Sequence, residues 1–583
     1  MAYALRVMKD HYRTGFRGDL LPTITIQHEF LRKFLNNEGV EFEPQRLIDE
    51  LPLIGTDVDK CDENELVVEI FPDRPDLLSG ETLATAIAQF LYHKDSNPSI
   101  DVQPPSISMT VDKSLTEVRP VVFGAVVRGV KVEDGEVDEF IKMLMEHQEK
   151  LHFALGRGRG RASIGVHDLD TLAPPFTVTT VDRSFAFPPL GEEEPMSIQD
   201  ILERHPKGID YAHLLDGFEK VPIILDAQQK VLSFPPIING NHTTVTNKTR
   251  NFFIDVTGLD QKACECCLLL VALQLQQWGG TVEAIELTDV HGTTTSFPNG
   301  EPELHVIPET LVEAFLGRTF SDEQLRSSMN RMGGQFVERR SDGTIAFNMA
   351  RWRYDLLHPV DVVEDIAIGH GYEDLGEAQP QFAMAGVPRA DAHIRRRIRE
   401  SMQGIGFMQV QSLTLSNPTD QFEKMRWQQL HEVTEIANPI THEHTMMRQY
   451  ILPSLLKLLS SNKHHELPQL FYELGTVVRH HKNETRLAFV CAEKSGGFAT
   501  LRGRIQAFCL DLGITNWRLE PIEDGDGPWL NGRGAKFFIG DDWVGCIGEI
   551  DPNVSITFDL RVPLSGGDFD IGLMTSILED PVG

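Results

Sequence analysis

The stretch that most restricts how this chain can fold is residues 351–372, RWRYDLLHPVDVVEDIAIGHGY. Pro359 has no N–H to offer and a φ already near the helical value, so it suits the first position of a helix. Asp361, Glu364 and Asp365 follow at spacings of three and four, which places them on one helix face. Asp355 precedes them in a short extended run, and Gly369 reads as the helix stop. One bend and one helical turn thus crowd four carboxylates together. Such a group must be well solvated, share a proton or share a cation. Its donors are all oxygen, which suits a hard ion such as Mg²⁺ rather than zinc. The alternative is that acids in a first turn only complement the helix dipole. The residues alone leave both readings open.

A chain of 583 residues is too long for one core, and about three to five domains are expected. The longest apolar run, residues 266–275, is short and broken by Gln274, so no membrane span is expected. The first twenty residues mix charges throughout and lack the apolar centre of a signal peptide. The seven cysteines offer one C-x-x-C spacing, Cys264 to Cys267, inside a single helical run and with no second pair, so a zinc ribbon or a disulfide framework is not expected. A reducing, cytoplasmic setting is expected. With 54 bases against 86 acids the net charge is −32, so no whole-surface grip on nucleic acid is available. Any such contact must be local. Two basic clusters could serve, Arg157-Gly-Arg159-Gly-Arg161 and Arg395-Arg396-Arg397 with Arg399, although arginines on a helix are more often a solvated face.

The chain reads as α+β and multidomain. Residues 1–21 form an extension. Residues 22–95 alternate strand and helix, with Ser79 as an N-cap and Glu81 in the acidic first turn behind it. Residues 95–106 have linker composition. Residues 107–290 read as strands and turns with amphipathic helices around residues 138–155 and 260–278. Within them Ser233, Asn239, Asn241, Thr243, Thr244 and Asp255 concentrate polar groups among strand residues, a pattern that can line a small-molecule pocket or merely build turns. Residues 291–303 read as a second linker. In 300–377, Ser321 and Gln324 make a capping box, and a hairpin about Asp342-Gly343 precedes the carboxylate helix, so a small winged-helix-like module is expected. Residues 374–389 are rich in Gly, Pro and Ala. Residues 388–583 suggest an antiparallel sheet flanked by helices. There is no phosphate-binding G-x-x-x-x-G-K-[ST] loop, dinucleotide fingerprint or G-x-S-x-G elbow, and His442, His444, His464 and His465 lack zinc-site spacing.

Several long segments, in order, carry a resemblance: PDRPDLLSGETLATAI, RASIGVHDLDTL, VLSFPPIINGNHTTVTNKTRNFFIDVTG, RYDLLHPVDVVEDIAIGHGYEDL, NPITHEHTMMRQYILPSLL and FYELGTVV. Together they resemble the beta subunits of phenylalanine–tRNA ligase of the archaeal and eukaryotic type, from about Leu21 to the end. The first loop has Asp73 where the family pattern leads one to expect Asn. The resemblance implies a heterotetramer of two alpha and two beta subunits, in which alpha joins phenylalanine to its tRNA using ATP and Mg²⁺. It implies that 388–583 is a class II synthetase-like domain without catalytic motifs, since NGRGAKFF lies where the Gly-rich, arginine-ending third motif would fall and lacks its pattern. It implies that Asp355, Asp361, Glu364 and Asp365 bind Mg²⁺ at a site shared with alpha. It implies that 107–290 is a tRNA-editing module that hydrolyses tyrosine wrongly joined to the phenylalanine tRNA. A hydrophobic pocket rejects one added hydroxyl by only about a hundredfold, so a second site with polar groups is needed. Ser233, Asn239 and Asp255 are the candidates to line it. His167 is a further one, against its reading as a satisfied structural histidine.

Two rival readings differ in class. A free-standing RNA-binding or editing protein would not need a synthetase-like domain of this size, and co-purification with a second chain separates the two. A Mg²⁺-dependent hydrolase built on the carboxylate helix lacks a visible nucleophile or phosphate cradle.

Overall fold

A computed structural model describes residues 22–376 and 386–578, apart from 430, 524 and 526. The extension 1–21 and residues 377–385 of the expected boundary lie outside the described residues. The chain divides into two units between residues 379 and 380.

The first unit opens with a three-stranded antiparallel sheet in which Glu65–Ile70 lies between Thr23–Gln27 and Thr56–Cys61. Leu66, Val68 and Ile70 alternate inward from the central strand. Helices His28–Asn37 and Gly80–Tyr92 cover them with Leu31, Phe34, Leu83 and Ile87 in one core. Ser79 caps the second helix, its Oγ accepting from Thr82 N at 3.2 Å. Glu81 is no solvated first-turn acid. It is fully buried and accepts from Trp278 Nε1 at 2.8 Å and Gln274 Nε2 at 3.1 Å.

Next comes a ten-stranded mixed sheet. Its order runs Ile238–Asn239, Val231–Phe234, Lys220–Leu225, Phe176–Asp182, Val102–Val111, Thr281–Thr288, Val121–Arg128, Phe252–Gly258, Ala162–Asp168, with Thr294–Phe297 also on Thr281–Thr288. Two segments with linker composition are therefore partly strand. Val102–Val111 pairs in parallel with Thr281–Thr288, and the register jumps between Gln103 and Ile107, so Pro104 and Pro105 fall where the ladder asks for no N–H. In the other, Phe297 stacks on Phe123 at 4.0 Å. Helix Gln261–Gln277 is buried nearly all round, with Cys264, Cys266 and Cys267 inside the core that also holds Phe252 to Val256.

A second three-stranded antiparallel sheet has Thr344–Met349 between Glu303–Pro308 and Gln335–Arg339. It packs with helices Glu309–Leu316, Asp322–Arg331 and Pro359–His370 around Leu325, Met329, Phe347, Val362 and Ile366. Ser321 and Gln324 form the capping box in both directions, at 3.2 and 2.9 Å. Pro359 is the first helical residue as expected, but Gly369 is not the stop. The helix ends at His370, and Gly371 has a φ of 101°. Gly369 instead touches the neighbouring helix, where a Cβ would stand 2.0 Å from Ser328 O.

In the second unit a seven-stranded sheet runs Met408–Gln409, Gln469–Arg479, Lys482–Ala492, Leu564–Asp570, Asp542–Ile550, Trp529–Ile539, Trp517–Pro521. It is antiparallel except at Met408–Gln409. Lys482–Ala492 shows how both faces are buried. Leu487, Phe489 and Cys491 meet helices Ala390–Gly404 and Phe498–Asp511, while Ala488, Val490 and Ala492 meet Leu452–Ser461. The apolar run 407–416 supplies only the short strand pieces Met408–Gln409 and Leu415–Ser416. Among the described residues no helix is long and apolar enough to cross a membrane.

Candidate functional site

The structure divides the four carboxylates of the helix turn into two kinds. Arg353 is buried and stands between Asp355 and Asp365. Its Nε and Nη2 donate to Asp355 at 2.9 and 2.6 Å, and Nη2 also donates to Asp365 at 2.9 Å. Burial opposes the charge on Asp355, but the guanidinium outweighs it and holds that carboxyl below its usual range. Asp365 lies deeper. Burial pushes it up to about 6 in spite of Arg353, and its Oδ2 has no hydrogen-bond partner among the described residues.

The other two carboxylates face outward. Asp361 Oδ2 accepts from the amides of Leu357 at 2.7 Å and His358 at 2.6 Å, closing a capping box over the helix start. Glu364 is exposed, and loss of solvent on one side together with the charges of Asp73, Asp361 and Asp355 pushes it up. Asp73 therefore joins the cluster from the loop that precedes helix Gly80–Tyr92. That loop carries a second buried fork, Arg74 Nε and Nη2 donating to Asp76 at 2.9 and 2.8 Å. Arg74 also helps hold Asp355 low. Both forks are R-x-D, which is the sequence signal that could have found them: RPD at residue 74 and RYD at residue 353. A separate exposed trio, Asp57, Asp59 and Glu69, has oxygens within 4.8 Å of one another, and surface acids often stand so.

The second cluster lies in the ten-stranded sheet. Ser233 and Asn239 face each other across adjacent strands. Ser233 Oγ donates to Asn239 Oδ1 at 3.3 Å, and Asn239 Nδ2 donates to Val166 O at 3.4 Å. One residue on, His167 is fully buried with both ring nitrogens engaged, Nε2 on Asp255 Oδ2 at 2.6 Å and Nδ1 on Thr243 Oγ1 at 2.8 Å. Thr243 in turn donates to the carbonyl of Gly240, the residue after Asn239. Of the polar residues singled out in the sequence, Ser233 bonds Asn239 and His167 joins Asp255 to Thr243, the two sets meeting through neighbouring backbone, whereas Asn241 Oδ1 accepts from Gly191 N and Thr244 donates to Asn241 O outside them. Asp255, His167, Thr243 and Ser233 are buried and Asn239 is half-buried. Two glycines make the room. A Cβ at Gly165, opposite Asp255 in the ladder, would stand 2.0 Å from Asp255 Oδ2, and one at Gly240 would stand 2.0 Å from Val231 O.

The arginine–glycine loop does not present its cations as a patch. Arg159 is 7% exposed, whereas Arg157 and Arg161 are at the surface, the latter donating to Tyr354 Oη at 3.2 Å. In the other cluster Arg395 donates to Thr485 and pairs with Asp391, and Arg397 pairs with Glu400.

Comparison with known proteins places these groups. Residues 121–265, which hold Ser233, Asn239, Asp255 and His167, match the B3/4 domain. Residues 306–372, with all four carboxylates, match the tRNA synthetase B5 domain, and residues 376–571 match the phenylalanyl tRNA synthetase beta chain CLM domain. The phenylalanine–tRNA ligase beta subunit of Methanococcoides burtonii is 35% identical over 551 residues, 94% of this chain and 100% of that one. The chain belongs to the phenylalanine–tRNA ligase beta subunits. The family members from Methanosarcina barkeri and Methanothrix thermoacetophila are each 36% identical, over 94% and 95% of this chain and 99% and 100% of their own. Among solved structures, an N-terminal fragment of the phenylalanyl-tRNA synthetase beta subunit from Pyrococcus horikoshii covers 60% of this chain and all of its own, with a TM-score of 0.56 and 26% identity. A multidomain α+β chain with several sheets, built as described above, is what this family membership entails.

Proposed function

We propose that the chain is the non-adenylating half of a phenylalanine–tRNA ligase, working in the cytoplasm with an alpha subunit as a heterotetramer of two alpha and two beta. Alpha, in this reading, attaches phenylalanine to its tRNA with ATP. The observation that carries the subunit role is the end-to-end match at 35% identity to curated beta subunits. The lone chain is then expected to form no phenylalanyl-tRNA, and the mixture with an alpha subunit to form it. Steady ATP-dependent charging by the purified lone chain would overturn the assignment. Co-purification of an equal amount of a second chain separates it from a free-standing editing factor.

In this reading residues 107–290 are the editing module, 300–377 a winged-helix-like module and 388–583 the catalytically silent class II-like domain. Editing is the chemistry assigned to this chain itself. An aminoacyl ester on tRNA is already activated, so hydrolysis needs a positioned water and a stabilised oxyanion. In this reading Asn239, half-buried and backed by Ser233, is the group that hydrogen-bonds the tyrosine hydroxyl. The His167–Asp255 pair holds the strands beneath it. A correctly attached phenylalanyl group would leave the hydrogen-bonding capacity that Asn239 does not spend on Ser233 and Val166 unmet, and that loss is the basis of selection.

In this reading a hard cation sits on the outward side of the carboxylate turn. Arg353 already forms ion pairs with Asp355 and Asp365, whereas Glu364, with Asp361 and Asp73 beside it, forms no ion pair among the described residues. Mg²⁺ shared with alpha would be held by Asp361 and Glu364, with Asp355 and Asp365 completing the set. Its part would be to tie the two subunits together by charge. Replacing Glu364 with Gln is expected to weaken Mg²⁺-dependent assembly about tenfold, with little change in the stability of the chain, because the side chain is exposed. Sedimentation across a Mg²⁺ series checks this, and an unchanged, Mg²⁺-independent complex would count against the site.

A further inference from the structure

The Arg157–Arg161 loop supplies no surface cation patch, and its middle arginine is best explained by the neighbouring polar cluster. We propose that Arg159 is a positioning residue for editing, an inference that rests on the editing reading above: it fixes the turn between the strands that carry Ser233 and Asn239.

The turn Phe234–Ile238 reverses the chain through Pro235 and Pro236. The carbonyls of Pro236 and Ile237 lie outside the two-residue ladder Ser233↔Asn239 and Phe234↔Ile238 and need a donor from elsewhere. Arg159 supplies it to both. Its Nη1 donates to Pro236 O at 3.2 Å and Ile237 O at 3.0 Å, while Nη2 donates to Glu149 at 2.8 Å. The guanidinium lies 4.2 Å from the centre of the Tyr211 ring, which fixes its plane. The backbone is set for this as well. Arg159 has a φ of 67°, the left-handed region that a non-glycine residue adopts at a cost.

A second arginine closes the link to the other side of the cluster. Arg119, also buried, donates through Nη2 to Arg159 O at 2.9 Å and to Thr257 O at 2.8 Å. Thr257 is two residues beyond Asp255 on the same strand. The strand that holds Asp255 and the turn that leads into Asn239 are therefore tied through two guanidiniums and one strained loop. Arg159 itself is too buried to meet a phosphate, so this arginine acts on the turn and not on RNA. Lysine has one nitrogen at the end of a flexible stem and cannot serve both carbonyls and Glu149 in one plane.

The test uses the complete complex and two variants, Arg159→Lys and Asn239→Ala, assayed on tyrosyl-tRNA and phenylalanyl-tRNA, with thermal melting as the control for folding. For Arg159→Lys the expected result is a fall in kcat for tyrosyl-tRNA hydrolysis of about tenfold to a hundredfold, at unchanged KM. The preference for tyrosyl over phenylalanyl ester should fall with it, since a turn that wanders loses its hold on the hydroxyl before it loses the ester. Equal loss on both esters, or loss that tracks a lowered melting temperature, would make Arg159 merely structural and overturn the proposal. If Asn239→Ala abolishes editing while Arg159→Lys keeps both rate and preference, this inference alone fails. If Asn239→Ala changes nothing, the site reading fails and takes this inference with it.

Discussion

Replacing Arg353 with alanine is expected to lower the stability of the first unit by about 3–5 kcal/mol, the cost of breaking a buried pair from one side. Arg353 is 4% exposed and Asp365 3%. The guanidinium spends one nitrogen on Met332 O and the rest on two carboxylates. Without it, Asp355 and Asp365 face each other with no charge between them, and Asp365 already has one oxygen without a partner. The second variant is the double change Arg353→Ala with Asp365→Asn. An amide carries no charge to strand, so the pair should recover a large part of the loss, and the interaction term should exceed that of independent sites. Urea unfolding followed by a probe in the first unit, such as Trp278, measures both. A loss in the single variant no larger than about 1 kcal/mol, the size typical of exposed pairs, would show that Arg353 is not what holds the turn.

Replacing Asn239 with alanine is expected to slow hydrolysis of tyrosyl-tRNA by about tenfold to a hundredfold, the worth of one desolvated hydrogen bond to the substrate hydroxyl. The protein itself should lose little. The two hydrogen bonds that Asn239 makes inside the chain are long, at 3.3 and 3.4 Å, and the His167–Asp255 bond beneath it does not depend on them. Replacing Asp255 with Asn should behave otherwise. It removes the charge from a bond of 2.6 Å between two fully buried groups, so stability and editing should fall together. The contrast separates a side chain that greets the substrate from one that supports the floor.

What could be read from residue order alone follows the range of the interaction. The Ser321–Gln324 box, the Ser79 cap and Pro359 at a helix start are local, decided within four residues, and the structure has each of them. Misread features are those whose partner is far away in the chain. Glu81 has the position of a first-turn acid, but Trp278 and Gln274 draw it inside. Gly369 has the position of a helix stop, but Ser328 needs its missing Cβ. The pairing of Val102–Val111 with Thr281–Thr288 could not be read at all, because the intervening residues form strands of their own. At the carboxylate turn the spacing places the acids on one helix, while the division into an Arg353-bound pair and an outward pair depends on a side chain that spacing does not describe. The polar cluster was legible as residue types in strands. That Gly165 and Gly240 make room for it needed the ladder.

Whether this chain edits through the Ser233–Asn239 cluster is decided by a paired measurement on a single preparation of the complex. Hydrolysis of tyrosyl-tRNA and ATP-dependent charging with phenylalanine are followed in the unaltered complex and in the one carrying Asn239→Ala. The unaltered complex should do both, and the variant should charge at the original rate while its hydrolysis of tyrosyl-tRNA collapses. Charging and hydrolysis falling in step, or hydrolysis untouched by the change, would contradict the assignment.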